Sequence, residues 1–267
     1  VTLPAIDCEA LAVRAGGQEI LHLPRLTVSR EEMVGLLGPN GAGKSTLLRC
    51  LLGMQGAVSG RVSVLGEDVE SSSSGRLARL RRRIGFVPQM LPARNEMPLT
   101  VREVVAIGRT GIAGLLRPLR REDWRLVDTW IERLGLASLA KRGFSEISGG
   151  EQRKTLIARA MVQQPELLLL DEPTANLDLY WRERIVETIG DLYRSMELTV
   201  VLVCHELEVL PACCGRVVLL DAGRLLADGP PAEVLSTRRV ASLYGPGLTV
   251  LRHAGRFVVA PGEAGHA

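Results

Sequence analysis

The run Gly38-Pro39-Asn40-Gly41-Ala42-Gly43-Lys44-Ser45-Thr46 constrains this chain more than any other stretch. It fits GxxxxGK[ST], is entered by the apolar run Met33 to Leu37 and is left by a helical pattern from Leu47 to Leu52. A strand feeding such a loop and then a helix turns backbone N–H groups inward around phosphate oxygens, and the helix N-terminus adds partial positive charge. Lys44 is placed to reach the outer phosphates as a point charge, and the Ser45 hydroxyl to ligate Mg2+. The chain writes arginine almost everywhere, with three lysines among 33 basic residues, and keeps one of the three here.

The remaining pattern predicts an α/β fold in which a P-loop nucleotide-binding core carries a largely parallel sheet. Leu167 to Leu170 and Thr199 to Val203 read as short buried strands, with a helical segment around Arg182 to Met196 between them. The first 30 residues mix short apolar pieces (Leu11 to Val13, Ile20 to Leu23) with Gly16-Gly17 and Pro24, which predicts a short-stranded, antiparallel N-terminal β subdomain. Arg61 to Leu65 reads as a strand and Ser71 to Ser74 as a polar turn. From about 95 to 160 helix signals dominate and read as a helical insertion. Within it Thr100 with Glu103, and Ser148 with Glu151, have capping-box spacing.

Composition excludes several classes. At 267 residues, with 46% hydrophobic and 24% charged residues, the chain buries a sizeable core and is not disordered. The longest stretch free of Asp, Glu, Lys and Arg is Val240 to Leu251, interrupted by Gly245-Pro246-Gly247, so no bilayer-spanning segment is expected. The N-terminal VTLPAIDCEA lacks a basic stretch, and no secretory signal is expected. Five cysteines, with Cys213 and Cys214 adjacent and no CxxC, predict small buried hydrophobes in a reducing compartment. Between Arg76 and Arg125 twelve arginines face four acidic residues, a net of +8, while the whole chain carries +3. No aromatics interleave with the run Arg76, Arg79, Arg81, Arg82 and Arg83, so nucleic acid is not an expected partner.

A phosphate loop needs carboxylates opposite it. Leu167 to Leu170 ends in Asp171-Glu172-Pro173, which sets two acids at the carboxyl end of a buried strand, where α/β sheets bind ligands. Asp171 is the candidate for holding Mg2+ and Glu172 for polarising a water toward the γ-phosphorus of ATP. Ser148 caps a helix whose free N–H groups, with Gly149 and Gly150, suit an anion.

With these motifs stand Phe86-Val87-Pro88-Gln89, Ile147-Ser148-Gly149-Gly150-Glu151, Ala175-Asn176-Leu177-Asp178 and Val203-Cys204-His205-Glu206. The set, in this order, resembles the ATP-binding subunits of ABC transporters, from about residue 7 to about 245. The resemblance implies one ATPase cassette over residues 1–245, with residues 246–267 as a short C-terminal extension. It implies that Gln89 senses the metal and couples to a partner, and that His205 contacts the γ-phosphate and orients the water with Glu172. Ser148, Gly149 and Gly150 would close over ATP held by a second copy of the chain, and Asp178 would couple the two sites. Two departures stand out: Ala15 where the family often stacks an aromatic on adenine, and Glu151 where glutamine is more common.

The expected partners are integral-membrane permease subunits and, indirectly, an extracytoplasmic binding protein. That places the chain peripherally on the cytoplasmic face of the inner membrane. The competing class is an ABC-type ATPase acting in translation, repair or assembly without transport. A single cassette, and a Lys44 to Asp171 spacing too short for a coiled coil, favour an importer. Pro98 to Val105 with Gly108-Arg109, and Gly229 to Leu235 with Leu243-Tyr244-Gly245, resemble importers of metals and metal chelates such as iron-siderophore, haem, cobalamin, zinc or manganese.

Overall fold

The structure is a computed structural model that describes residues 3–57, 59–89, 98–114 and 117–262. The start of the expected helical insertion at about 95 and the last five residues of the expected extension lie outside them. The strands are β1 (Ile6–Ala15), β2 (Gln18–Val28), β3 (Met33–Leu37), β4 (Ser59–Val64), β5 (Glu67–Asp68), β6 (Ile84–Val87), β7 (Leu167–Asp171), β8 (Thr199–Cys204), β9 (Arg216–Asp221), β10 (Arg224–Gly229), β11 (Leu248–His253) and β12 (Arg256–Pro261). The helices are α1 (Lys44–Leu51), α2 (Ser74–Arg82), α3 (Val101–Ala113), α4 (Arg121–Arg133), α5 (Gly149–Met161), α6 (Leu179–Ser195), α7 (Pro231–Val234) and α8 (Thr237–Tyr244).

One sheet runs β5-β4-β1-β2-β10-β9-β3-β8-β7-β6. Strands β9, β3, β8, β7 and β6 pair in parallel, and β5, β4, β1 and β2 pair antiparallel. The two parts meet through a single register pair, Arg224 with His22, and a bond from the His22 N–H to the Gly223 carbonyl. The expected N-terminal β subdomain is therefore present, but its first strands are long, ten and eleven residues, rather than short. Gly16-Gly17 does turn the chain, whereas Pro24 does not end a strand. Pro24 lies opposite Ala10, between the pairs Glu9–Arg25 and Leu11–Leu23, where Ala10 takes a left-handed φ of 47°. A proline lacks the N–H that a ladder needs, yet the β1–β2 register is the same on both sides of Pro24, and the irregularity near Ala10 falls in the β1–β4 pairing.

The parallel strands are buried on both faces, which is why they read as unbroken apolar runs. Alternate residues serve two cores: Met33, Leu37, Leu168 and Leu170 face the side covered by α3, α5 and α6, while Val34, Leu36, Leu167 and Leu169 face the side of α1. Both capping boxes form, with Thr100 accepting from the Glu103 N–H and Ser148 from the Glu151 N–H. Each cap contributes about 1 kcal/mol to its helix. All five cysteines are free; Cys8, Cys50, Cys204 and Cys214 are buried and Cys213 half-buried. Burial pushes the Cys8 thiol up to about 12, so it stays protonated and acts as packing. Residues 248–261 form the hairpin β11–β12, held to the cassette by Arg256 on Glu183 and on the Glu208 carbonyl.

Candidate active site

The carboxyl ends of β3, β6, β7 and β8 open on one edge of the sheet. Gly38 to Gly43 lead from β3 into α1, and Gly43 makes the turn with φ 92°. A Cβ there would stand 3.0 Å from both the Ile20 carbonyl and Leu21 Cδ1, in a backbone conformation that favours glycine. Lys44 is buried, and its ammonium donates to the carbonyls of Gly38 at 2.7 Å and Pro39 at 2.9 Å. Burial lowers its pKa, and Glu172 and Asp171 partly restore it. An ammonium in a low-dielectric cleft interacts strongly with any anion brought there.

Asp171, the last residue of β7, is buried and accepts from Ser45 Oγ at 3.2 Å. Burial raises its pKa, and the Ser45 hydrogen bond opposes the shift. A buried carboxylate beside a hydroxyl is a hard-oxygen donor pair short of positive charge, and it fits Mg2+ completed by phosphate oxygens and water. Glu172 follows with φ 46°, a left-handed conformation that costs a non-glycine residue about 1–3 kcal/mol. Its N–H donates to the Val203 carbonyl, which anchors the turn to β8. Gln89 Nε2 donates to Glu172 Oε2 at 2.6 Å, and His205 Nδ1 stands 3.4 Å from the same oxygen without a formed hydrogen bond.

Gln89 and Glu172 line two adjoining clefts. One is the phosphate cleft, lined by Ile20, Asn40 to Thr46, Gln89 and Glu172. The other runs past Thr174 to Leu177, Cys204, His205 and Glu206. Gly38 and Pro39 line neither cleft; their carbonyls accept from the Lys44 ammonium. Asp178 caps α6, accepting from the Trp181 N–H at 2.9 Å. Ser148, Gly149 and Gly150 line neither cleft, so the residues expected to act together do not all meet within one chain. A Cβ at Gly150 would sit 1.9 Å from Trp181 Cδ2, so this glycine is demanded by the indole packed against it. A flexible turn for an anion is not its sole use.

Four participants escaped the reading of motifs. Ile20 lines the phosphate cleft although its setting in an apolar strand reads as core. Arg182 pairs with Glu206 at 2.6 Å in the second cleft. Trp181 covers Gly150, and Arg153 holds the Gln89 segment. The need for glycine at 150 was the one usable signal.

Ala15 is exposed at the end of β1, outside the phosphate cleft, and no aromatic residue precedes Phe86. Binding is therefore expected to rest on phosphates and Mg2+, with GTP competing against ATP to within about tenfold. An aromatic stack adds about 0.5–1.5 kcal/mol, so Ala15→Tyr should tighten ATP by a few-fold to about tenfold. Competitive titration of both nucleotides on both proteins tests this. An ATP preference well above tenfold, unchanged by the tyrosine, would contradict it.

A glycine-rich loop between β3 and α1, a buried acid beside its serine and a glutamate lining the same cleft define a P-loop ATPase core. Residues 21–175 match the profile of the ABC transporter family. The chain is 37% identical over 272 residues to the haemin import ATP-binding protein of Bordetella avium, covering 99% of this chain and 97% of that one. It is also 37% identical over 251 residues to the phosphonates import ATP-binding protein of Maricaulis maris, covering 91% and 94%. A solved metal-chelate type ABC transporter in an inward-facing conformation aligns with a TM-score of 0.82 at 26% identity, over 97% of both chains. This chain belongs to the ABC transporter family, as an ATP-binding subunit with ATPase activity.

Proposed function

We propose that two copies of this chain enclose two ATP molecules and hydrolyse them to drive an importer of a metal or metal chelate. The catalytic part rests on the setting of Glu172: Gln89 donates to its Oε2 at 2.6 Å, His205 Nδ1 stands 3.4 Å from the same oxygen, and Lys44 and Ser45 lie across the cleft. Water placed at Glu172 Oε1 gives up a proton as its oxygen bonds to the γ-phosphorus, while the bond to the β-phosphate oxygen breaks to leave ADP. His205 and Lys44 face the charge on the γ-phosphoryl oxygens. Mg2+, held by Ser45 and Asp171, would neutralise β- and γ-phosphate charge. Asn40, Gly41, Ala42, Gly43 and Thr46 cradle the phosphates with backbone donors.

The signature residues Ser148, Gly149 and Gly150 are supplied by the second copy, which supports a dimer because they line neither cleft of their own chain. Asp178 sits where α6 begins, between the His205 cleft and that signature. Among the described residues no helix is long and apolar enough to cross a membrane. In this reading permease subunits supply the path, an extracytoplasmic binding protein delivers cargo, and the chain works on the cytoplasmic face of the inner membrane. The haemin relative and the metal-chelate neighbour support that cargo class; the equal identity of the phosphonate relative says that cassettes differ little with cargo.

Gln89 is the coupling residue in this reading. Reconstituted with its permease in vesicles, Gln89→Ala is expected to lose most of the permease-stimulated ATPase while ATP affinity changes less than about twofold. Equal stimulation of both proteins would count against coupling, and a chain that no permease stimulates would count against the importer.

A further inference from the structure

Arg153 lies on α5, three residues beyond Gly150, and is 2% exposed. Its Nη1 donates to the Pro88 carbonyl at 2.7 Å and its Nη2 to the Gln89 carbonyl at 3.1 Å. Among the described residues no carboxylate lies within ion-pair distance of it. Burial pushes its pKa below the usual guanidinium value, with Asp171 opposing the shift. If packing were its whole task, an apolar side chain would serve better, because a buried unpaired charge is costly.

The two carbonyls belong to consecutive residues just past β6, and the second residue is Gln89, whose side chain holds Glu172 Oε2. Two hydrogen-bonded steps, joined through the Gln89 residue itself, thus link the first turns of α5 to the carboxylate: guanidinium to carbonyls, then amide to carboxylate. A second connection runs from the same helix end through Gly150 against Trp181, then Asp178, to the turn after Glu172. We propose that Arg153 is a positioning residue whose guanidinium hangs the Gln89 segment on the signature helix and so sets the Gln89 amide on Glu172. A signature seated on one ATP is thereby linked to the glutamate facing the other.

The proposal rests on the roles given to Gln89 and Glu172, and a double-mutant cycle separates the two. Turnover at saturating Mg-ATP, ATP affinity and melting temperature are measured on the full chain carrying Arg153→Lys, Arg153→Met, Gln89→Ala and each Arg153 change combined with Gln89→Ala. A planar fork spans two adjacent carbonyls and an ammonium does not, so Arg153→Lys should lower kcat about fivefold or more with ATP affinity within about twofold. In the Gln89→Ala background it should cost nothing further, because both residues act on one contact. Arg153→Lys at wild-type kcat, or kcat losses that multiply in the double variant, would overturn the proposal. So would a kcat loss that follows lowered melting temperature and weakened ATP binding together. If Arg153→Met fails to fold, the lysine variant alone decides. An unaffected kcat in Gln89→Ala itself would instead overturn the role given to Gln89, and this proposal with it.

Discussion

Glu172→Gln is expected to cut ATP turnover by about 10²- to 10⁴-fold while leaving ATP affinity near that of the wild type. The amide keeps the size of the carboxylate, and its oxygen can still accept from Gln89 where Oε2 now does at 2.6 Å. What it loses is the capacity to take a proton and the charge that orients a water at Oε1. Binding is spared because phosphate recognition rests on the Gly38 to Thr46 loop, while Glu172 stands across the cleft. Steady-state phosphate release and equilibrium binding of a fluorescent ATP analogue measure the two quantities. Full activity in the variant would remove Glu172 from the chemistry.

Lys44→Ala should do the reverse, weakening ATP binding by about 10- to 150-fold, as expected for removing a charged hydrogen-bond donor worth about 1.5–3 kcal/mol. The ammonium now rests on two backbone carbonyls in a buried cleft, and it would leave them for phosphate oxygens of full negative charge. Replacing the buried cation by a methyl group removes its desolvation cost but leaves the Gly38 and Pro39 carbonyls without their donor, so the melting temperature should hold or fall. Calorimetric titration with ATP and a thermal melt check both statements. Unchanged affinity would show that Lys44 does not meet the nucleotide.

The two substitutions fall on residues that the sequence exposes plainly, and the reason is chemical. Loop glycines, the lysine and paired acids after an apolar strand are types that packing rarely asks for at those places, so they stand out. Gln89 and His205 do not stand out by themselves; order along the chain marked them, and the structure brings both to Glu172. Pro24 misled because local chemistry says that proline ends a strand, while β2 keeps one register with β1 on both sides of it. Arg153 and Trp181 were illegible for another reason. α5 is covered by neighbouring helices and strands, so buried Gln152, Arg153 and Thr155 break its apolar pattern without announcing a partner. Their contacts are long-range, and spacing along one helix carries no trace of them.

In the proposed arrangement each ATP site is made by two chains. Light scattering on Glu172→Gln with Mg-ATP, alone and combined with Gly149→Asp, tests it most directly. An added Cβ at Gly149 meets only Leu177 Cδ2, at an ordinary 3.5 Å, and an aspartate in the first turn of a helix favours folding. Its charge would, however, stand where the partner's γ-phosphate is to bind. Glu172→Gln is predicted to run at twice 29.0 kDa with ATP and at 29.0 kDa without it, and the double variant to remain at 29.0 kDa while still binding ATP. A single variant that stays at 29.0 kDa when saturated with ATP, or a double variant that dimerises as readily, would contradict it.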